Sequence, residues 1–301
     1  MSANASKKVI IAALIGNAAI SITKFFAAFT TGSSAMLSEG IHSLVDTGNQ
    51  VLLLYGMKQA KQPADEEFPF GHGKEIYFWS FVVAILIFAV GSGVSIYEGI
   101  HHVLHPVKIE NPMVNYIVLG LALVFEGGAW FFAFKEFGKV KGKRGYIEAV
   151  QRGKDPSMFV VLFEDSAAML GLLIALLGIW LAQVTGIAIF DGIASILIGC
   201  ILGGTAIWLA VETKGLLIGE GANKEVIASI RQLTESIDGV EKVNELLTMH
   251  MGPEFILVNI SIRFKRGQQI REIESVIEEI DSAIKDEHET VKRVFIEAEA
   301  A

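Results

Sequence analysis

Three polar side chains of the segment SEGIHSLVDTGNQ (38–50) could bind a metal ion from within an otherwise apolar stretch. His42 and Asp46 are four residues apart and Asn49 follows three residues later, so a helix would place all three on one face. Imidazole and carboxylate groups are ligands of zinc-type cations, which take about four donors in a tetrahedron. Because ionisable groups in a membrane segment cost free energy unless paired or hydrated, we interpret this face as a functional site.

A second acidic group lies in MFVVLFEDSAAMLG (158–171), where Glu164 and Asp165 are adjacent. One imidazole and two carboxylates from two facing helices would supply most of a metal site. Glu126 and Lys24 also lie in apolar segments, where charge pairing and a role in transport both explain them. Asp191 begins an apolar segment, and we expect it to cap the helix that it begins.

The composition predicts that membrane helices position these residues. Hydrophobic residues make up 52% of the 301 and charged residues 19%, against about 25% charged in soluble domains. Spanning the hydrocarbon takes roughly 20 apolar residues. Six segments of about this length are present: 9–30, 36–57, 76–103, 113–134, 157–184 and 189–211.

The loops between these segments alternate in charge, which predicts how the chain is oriented. The first, third and fifth loops hold at most Lys108, whereas the second and fourth are basic. Their basic residues are Lys58, Lys61, Lys74, Lys135, Lys139, Lys141, Lys143, Arg144, Arg152 and Lys154. The positive-inside rule places these loops in the cytoplasm, together with Lys7, Lys8 and both termini. The single cysteine, Cys200, excludes a disulfide framework and a cysteine-based zinc site.

The segment 212–301 has the composition of a soluble domain and follows the predicted transport domain, 1–211. It holds 18 acidic against 11 basic residues, which argues against nucleic-acid binding. Its periodicity predicts a helix (224–237), two strands joined at Gly252-Pro253, a second helix and a last strand. This αββαβ order predicts a small cytoplasmic α+β domain, whose modest core favours dimerisation.

Together, SEGIHSLVDTGNQ, FPFGHGKEIYFWS, YEGIHHVLHP, FEDSAAMLG and LLTMHMGPEFILVNISIRF resemble the cation diffusion facilitator family over essentially the whole chain. The resemblance implies a dimeric exporter of zinc or related divalent cations in exchange for protons. It also implies a six-helix membrane bundle with a cytoplasmic αββαβ, ferredoxin-like domain.

The resemblance implies a transport site with two ligands four residues apart on each of helices 2 and 5. His42 and Asp46 match the helix 2 pair, and Asp165 matches the second helix 5 position. The first falls on Val161, which cannot bind metal, so the chain looks like the branch with Glu-Asp on helix 5. Glu164, Asn49 or a water are the alternatives for the missing ligand.

Two further regions are weaker candidates. Asp65 and His72 resemble a secondary metal site whose middle histidine is replaced here by Phe68, so we expect a lost or weak site. His101, His102 and His105 form an exposed cluster that could bind metal weakly. The resemblance also leaves open a regulatory metal site in the C-terminal domain, where His250 and His288 remain. The family's ligand positions are occupied here by other residues: Asn244, Asn259 or Ile260, Glu297 and Glu299.

These observations predict a zinc exporter of the cell (inner) membrane that works by alternating access as a metal/proton antiporter. Imidazole favours Zn²⁺, with Fe²⁺, Co²⁺, Ni²⁺ and Mn²⁺ as alternatives. A membrane sensor or a channel without active transport would carry similar ligands. An intramembrane metalloenzyme would carry a motif such as H-E-x-x-H, which is missing, and no organic cofactor is expected.

Overall fold

The computed structural model describes residues 3–141, 145–146, 149 and 156–299, with side chains except at 3–13, 15, 136, 139–141 and 157–158. Of the predicted basic residues, Lys143, Arg144, Arg152 and Lys154 lie outside the described residues, as do the side chains of Lys7, Lys8, Lys139 and Lys141. Long helices precede residue 219: α1 Ala3–Thr31, α2 Ser34–Gln59, α3 Glu75–Leu104, α4 Pro112–Lys141, α5 Pro156–Thr185 and α6 Ile189–Ile218.

Among the described residues, four helices are long and apolar enough to cross a membrane: Glu75–Leu104, Pro112–Lys135, Phe159–Thr185 and Ile189–Ile218. Helices α1 and α2 have 29 and 26 residues. At about 1.5 Å per residue, each of these two is also long enough to cross. The count of six spans stays a prediction, while the helical membrane domain itself is confirmed.

Helices α3 and α6 pack backbone against backbone. A Cβ placed on Gly99 would lie 2.7 Å from the carbonyl oxygen of Gly192. One placed on Gly203 would lie 2.7 Å from the hydroxyl of Ser92, inside the π-helical segment Ile87–Ser92 of α3. Small residues allow this approach where lipid supplies no hydrophobic drive between helices.

The start of α2 is fixed by a residue from α6, which corrects the expectation for Asp191. The sequence predicts that this residue caps its own helix, but α6 begins after Ala188 without a side-chain cap. The carboxylate of Asp191 instead accepts hydrogen bonds from the Ser33 hydroxyl (2.6 Å) and the Ser34 amide (2.5 Å). It therefore satisfies free N–H groups at the first turn of α2.

The C-terminal domain has the predicted element order: α7 Lys224–Ser236, β1 Val240–Gly252, β2 Phe255–Phe264, α8 Ile270–Glu287 and β3 Val291–Ala298. Strand β2 pairs antiparallel with β1 and parallel with β3, so β2 is central and α8 forms the crossover. The helices contribute Ile230, Ile280 and Ile284 to a core completed by Val258 and Ile260 of β2. This is the two-layer α+β arrangement.

The C-terminal domain touches the membrane domain beside the first turn of α3. Gly73 lies against the backbone of Met251 and Gly252, and the rings of Phe70 and Phe295 are 6.4 Å apart. The N-terminal end of α3 is therefore next to the C-terminal domain, and its C-terminal end lies at the opposite end of the bundle.

Candidate metal centre

Helix α2 places the predicted ligands on one buried face. His42 and Asp46 are adjacent in successive turns, with 3.3 Å between Nδ1 of His42 and Oδ1 of Asp46. Asn49 is fully buried one turn further on. This face is directed into the bundle, so the three side chains are available to a ligand held between helices.

Helix α5 supplies Glu164 to the same place. Nδ2 of Asn49 donates a hydrogen bond of 2.5 Å to Oε1 of Glu164. The carboxyl groups of Asp46 and Glu164 are close enough for one, when protonated, to hydrogen-bond the other. Asp165 is partly exposed and lies within electrostatic range of Glu164 and Glu126. Glu164 is thus the residue of α5 that contacts the α2 face directly.

Several polar atoms in this group have no hydrogen-bond partner. They are both ring nitrogens of His42, Oδ1 of Asp46 and Oδ1 of Asn49, all buried; Nδ1 of His42 and Oδ1 of Asp46 lie 3.3 Å apart but not in hydrogen-bond geometry. Most buried polar atoms in proteins are hydrogen-bonded, and the exceptions are explained by local strain, by a functional role, or by a bound water or ion. Imidazole nitrogen and carboxylate oxygen are the donors that a first-row divalent cation takes, so the set fits such an ion chemically.

The residues are joined as a series of pairs and not as one tight cluster. In the parts of the chain that the structure describes, the group in which three His, Cys, Asp or Glu ligand atoms lie within 4.8 Å of one another is Glu98, His101 and His102. That group is on α3, and the ligands between α2 and α5 do not meet the same distance. An ion between α2 and α5 would therefore draw His42, Asp46 and Glu164 closer together than they lie here.

Lys24 and Glu126, for which two roles were open, take part in a buried ion pair network beside this group. Nζ of Lys24 donates to Oε2 of Glu39 at 3.0 Å, to Oε1 of Glu126 at 2.8 Å and to the Ser43 hydroxyl at 2.8 Å. The network joins α1, α2 and α4. Charge pairing is thus the contact that the structure gives both residues.

Sequence reasoning missed Glu39 as a member of this network. A signal was present, because a buried lysine on α1 requires an acid on a neighbouring helix, and Glu39 lies one turn before His42. Glu98 was also missed beside the His101-His102 pair, although a signal for it was present. Its spacing of three and four residues to these histidines places it on their side of the helix.

Asp65 and His72 form a pair in the loop that faces the C-terminal domain. Nε2 of His72 lies 2.9 Å from Oδ2 of Asp65, and the Phe68 amide donates to Oδ1 at 2.7 Å. The hydrogen bonds from Phe68 and then His72 lower the pKa of Asp65. The Phe68 ring packs 4.5 Å from the His72 ring, in the place of the expected third ligand.

The C-terminal histidines occupy separate positions. Nε2 of His288 lies 2.9 Å from the Ser229 hydroxyl, and His250 is buried in β1. A regulatory metal site in this domain stays a prediction.

Two family models match the chain. The cation efflux transmembrane domain covers residues 10–218, and the cation efflux protein cytoplasmic domain covers residues 222–301. Among solved structures, a nickel form of the MamM C-terminal domain matches 26% of this chain and 99% of its own at 20% identity and a TM-score of 0.25.

Curated relatives carry names of metal transporters. A protein of Homo sapiens named proton-coupled zinc antiporter SLC30A9, mitochondrial, is 33% identical over 247 residues, which are 81% of this chain and 44% of that protein. The manganese efflux system protein MneP of Bacillus subtilis is 23% identical over 301 residues, 97% of this chain and 95% of that protein. The chain spans about half the length of the zinc antiporters that it matches.

Proposed function

The chain belongs to the cation efflux family, and on that premise we propose that it is a secondary transporter, not an enzyme, that exports a divalent metal cation. Zn²⁺ is the proposed substrate and protons are the proposed counter-ions. The main support is the buried group of His42, Asp46, Asn49 and Glu164 between α2 and α5. Its nitrogen and oxygen atoms without a hydrogen bond are of the types that bind metal ions.

Alternating access would expose this group to the cytoplasm and to the opposite side in turn. The ligands must be deprotonated to bind a metal, so loading the ion releases protons. The ordinary pKa of an imidazole in water, about 6.5, is closer to physiological pH than that of the carboxylates, which makes His42 the proposed proton exchanger. Protons taken up on the more acidic side would displace the ion and neutralise the carboxylates on the return step.

The imidazole of His42 is the ligand on which the preference for zinc over manganese rests. Imidazole suits zinc, whereas carboxylate and carbonyl oxygens suit manganese and magnesium. The name of the human relative is in line with this choice, and the name of the Bacillus subtilis relative makes Mn²⁺ the metal to test against it. Fe²⁺, Co²⁺ and Ni²⁺ remain further alternatives.

For the ligand on helix α5 we propose Glu164, with Asp165 nearby as a second proton acceptor. The support is the hydrogen bond of Glu164 to Asn49 and its hydrogen-bonding contact with Asp46, whereas Asp165 interacts with Asp46 through charge alone. Glu164→Gln should then reduce zinc transport at least tenfold, and Asp165→Asn less. The reverse order would assign the ligand to Asp165.

The experiment that tests the function is metal-resolved flux in liposomes containing the purified full chain. With a pH gradient imposed, the wild type should accumulate Zn²⁺ against its concentration gradient. His42→Ala and Asp46→Asn should abolish this accumulation. His288→Ala, a histidine of the C-terminal domain bonded to Ser229, is the matched control and should transport normally.

Two results would contradict the proposal. Zinc that only equilibrates down its own gradient, whatever the pH gradient, would assign the chain to a channel. Binding without flux would assign it to a sensor. If Mn²⁺ accumulates and Zn²⁺ does not, the transporter stands and the metal is wrong.

We further propose a homodimer in a cell (inner) membrane with both termini in the cytoplasm. The basic loop that holds Lys58, Lys61 and Lys74 lies on the side of the C-terminal domain, because Gly73 in this loop contacts Met251, and this supports the orientation. The match of residues 222–301 to the family's cytoplasmic domain supports assigning that segment, predicted as 212–301, to the dimer contact. Light scattering of the purified chain should give twice the mass of 32.7 kDa.

A further inference from the structure

The last turns of α3 bring three potential metal ligands together. Glu98 precedes His101 by three residues and His102 by four, so it is a neighbour of both histidines on the helix surface. Their ligand atoms lie mutually within 4.8 Å. Glu98 and His102 are half-buried and His101 is exposed, so the group opens to the surface.

The ring of His102 is held by a contact with another part of the chain. Its Nε2 lies 3.1 Å from the carbonyl oxygen of Gly32, in the turn between α1 and α2. A carbonyl oxygen only accepts hydrogen bonds, so Nε2 carries the hydrogen and the lone pair of the neutral ring is on Nδ1. That Nδ1 is buried and has no hydrogen-bond partner.

Metal-binding histidines usually donate their other N–H to a carbonyl or carboxylate, which fixes the tautomer and the ring. His102 has this second contact, which comes from the turn between α1 and α2, whereas the three ligands lie on α3. The backbone of Gly32 can provide it because Gly32 ends α1 with φ at +70°, a conformation that favours glycine.

The group lies at the end of the membrane domain remote from the C-terminal domain. The C-terminal domain contacts the residues before α3, at Gly73, and α3 then runs for 30 residues. At about 1.5 Å per residue this separates the two ends by roughly 45 Å. The group therefore faces the aqueous phase on the opposite side from that domain.

We propose that Glu98, His101 and His102 form a second divalent-cation site, specific for zinc-like ions, at this face. Two nitrogens and one carboxylate oxygen make three of the four donors of a tetrahedral zinc site. His105, whose ring centre is 5.0 Å from that of His101, or a water completes the shell. Donors around one zinc ion are roughly 3–4 Å apart, so small side-chain rotations suffice.

The site is independent of the ligands between α2 and α5, so its existence does not depend on the proposed transport. If transport also holds, the site would receive the ion at the exterior mouth. Because a bound ion fixes His102 and His102 holds the α1–α2 turn, binding would also tie α3 to that turn.

The test counts bound metal on the full-length protein in nanodiscs, with Co²⁺ as the probe because its absorption reports tetrahedral nitrogen and oxygen ligation. It is done in a His42→Ala/Asp46→Ala background, so that the centre between α2 and α5 does not contribute. This background should still bind one Co²⁺ per chain with a tetrahedral spectrum. Transport is not a readout, so failure of the proposed function and failure of this site are separate results.

Adding Glu98→Gln or His101→Ala to that background should weaken Co²⁺ binding at least tenfold, and His288→Ala should leave it unchanged. His101 is exposed, so its substitution does not threaten folding, and the melting temperature of each variant verifies this. Unchanged affinity in both Glu98→Gln and His101→Ala, or no tetrahedral Co²⁺ in the background protein, would overturn the proposal.

Discussion

Replacing Lys24 by methionine should destabilise the membrane domain strongly. Nζ of Lys24 is fully buried and lies 3.0 Å from Glu39 and 2.8 Å from Glu126. The substitution leaves a fully buried carboxylate of Glu39 near a second one with 12% exposure, without their shared cation. Removing one partner of a buried ion pair costs about 3–5 kcal/mol because the other charge stays desolvated.

That loss corresponds to a fall of roughly 6–20 °C in the apparent melting temperature of a domain of this size. Tryptophan fluorescence and gel filtration of the detergent-solubilised chain would measure it. The matched control is Lys214→Met on the exposed side of α6, which should melt within a degree or two of the wild type.

A compensating variant tests whether the loss of stability comes from unbalanced charge. In Lys24→Met/Glu39→Gln/Glu126→Gln no formal charge remains in the network, so most of the lost stability should return. If Lys24→Met alone melts like the wild type, or if the triple variant is less stable than the single one, the three residues do not act as a charge-balanced unit.

Two further results are expected. Gly99→Ala should lower the melting temperature and loosen the α3–α6 contact, because its Cβ would lie 2.7 Å from backbone atoms of α6. Gly204→Ala is the control and should melt like the wild type, because no atom lies within 4 Å of its Cβ. Equal effects of the two substitutions on thermal unfolding would contradict the packing described. The Asp65–His72 pair should persist below the ordinary pKa of an aspartate, because the pKa of Asp65 is lower in the folded protein than in the unfolded chain. The stability that this difference contributes is fully present above the unfolded-state pKa and is lost only as the pH falls through the folded-state pKa. Carbon-detected NMR titration of the Asp65 carboxyl would check this, and an ordinary or raised pKa would refute it.

Much of the architecture could be predicted from the sequence because it rests on local rules. Apolar segments of about 20 residues predicted the long helices to within several residues at most ends, since spanning length and helix periodicity are properties of a continuous segment. The αββαβ order of the C-terminal domain followed in the same way from alternation and turn residues. The shared face of His42 and Asp46 followed from helix geometry alone.

Contacts between distant parts of the chain could not be predicted in this way. Adjacent residues such as Glu164 and Asp165 point about 100° apart on a helix, so only the rotation of α5 against α2 decides which one meets Asn49. Lys24 and Glu126 are 102 residues apart, and their pairing depends on α1 and α4 lying side by side.

Asp191 illustrates the limit most clearly. Its position at the start of an apolar segment predicted a cap, because Asp is a strong acceptor for free N–H groups. The helix that it caps lies 157 residues earlier in the chain, since α6 begins where α2 begins in space. The sequence by itself determined which polar groups needed a hydrogen-bond or charge partner inside the membrane domain. Only the tertiary structure decided which partner each of them has, because these pairings depend on distances between helices that no local pattern encodes.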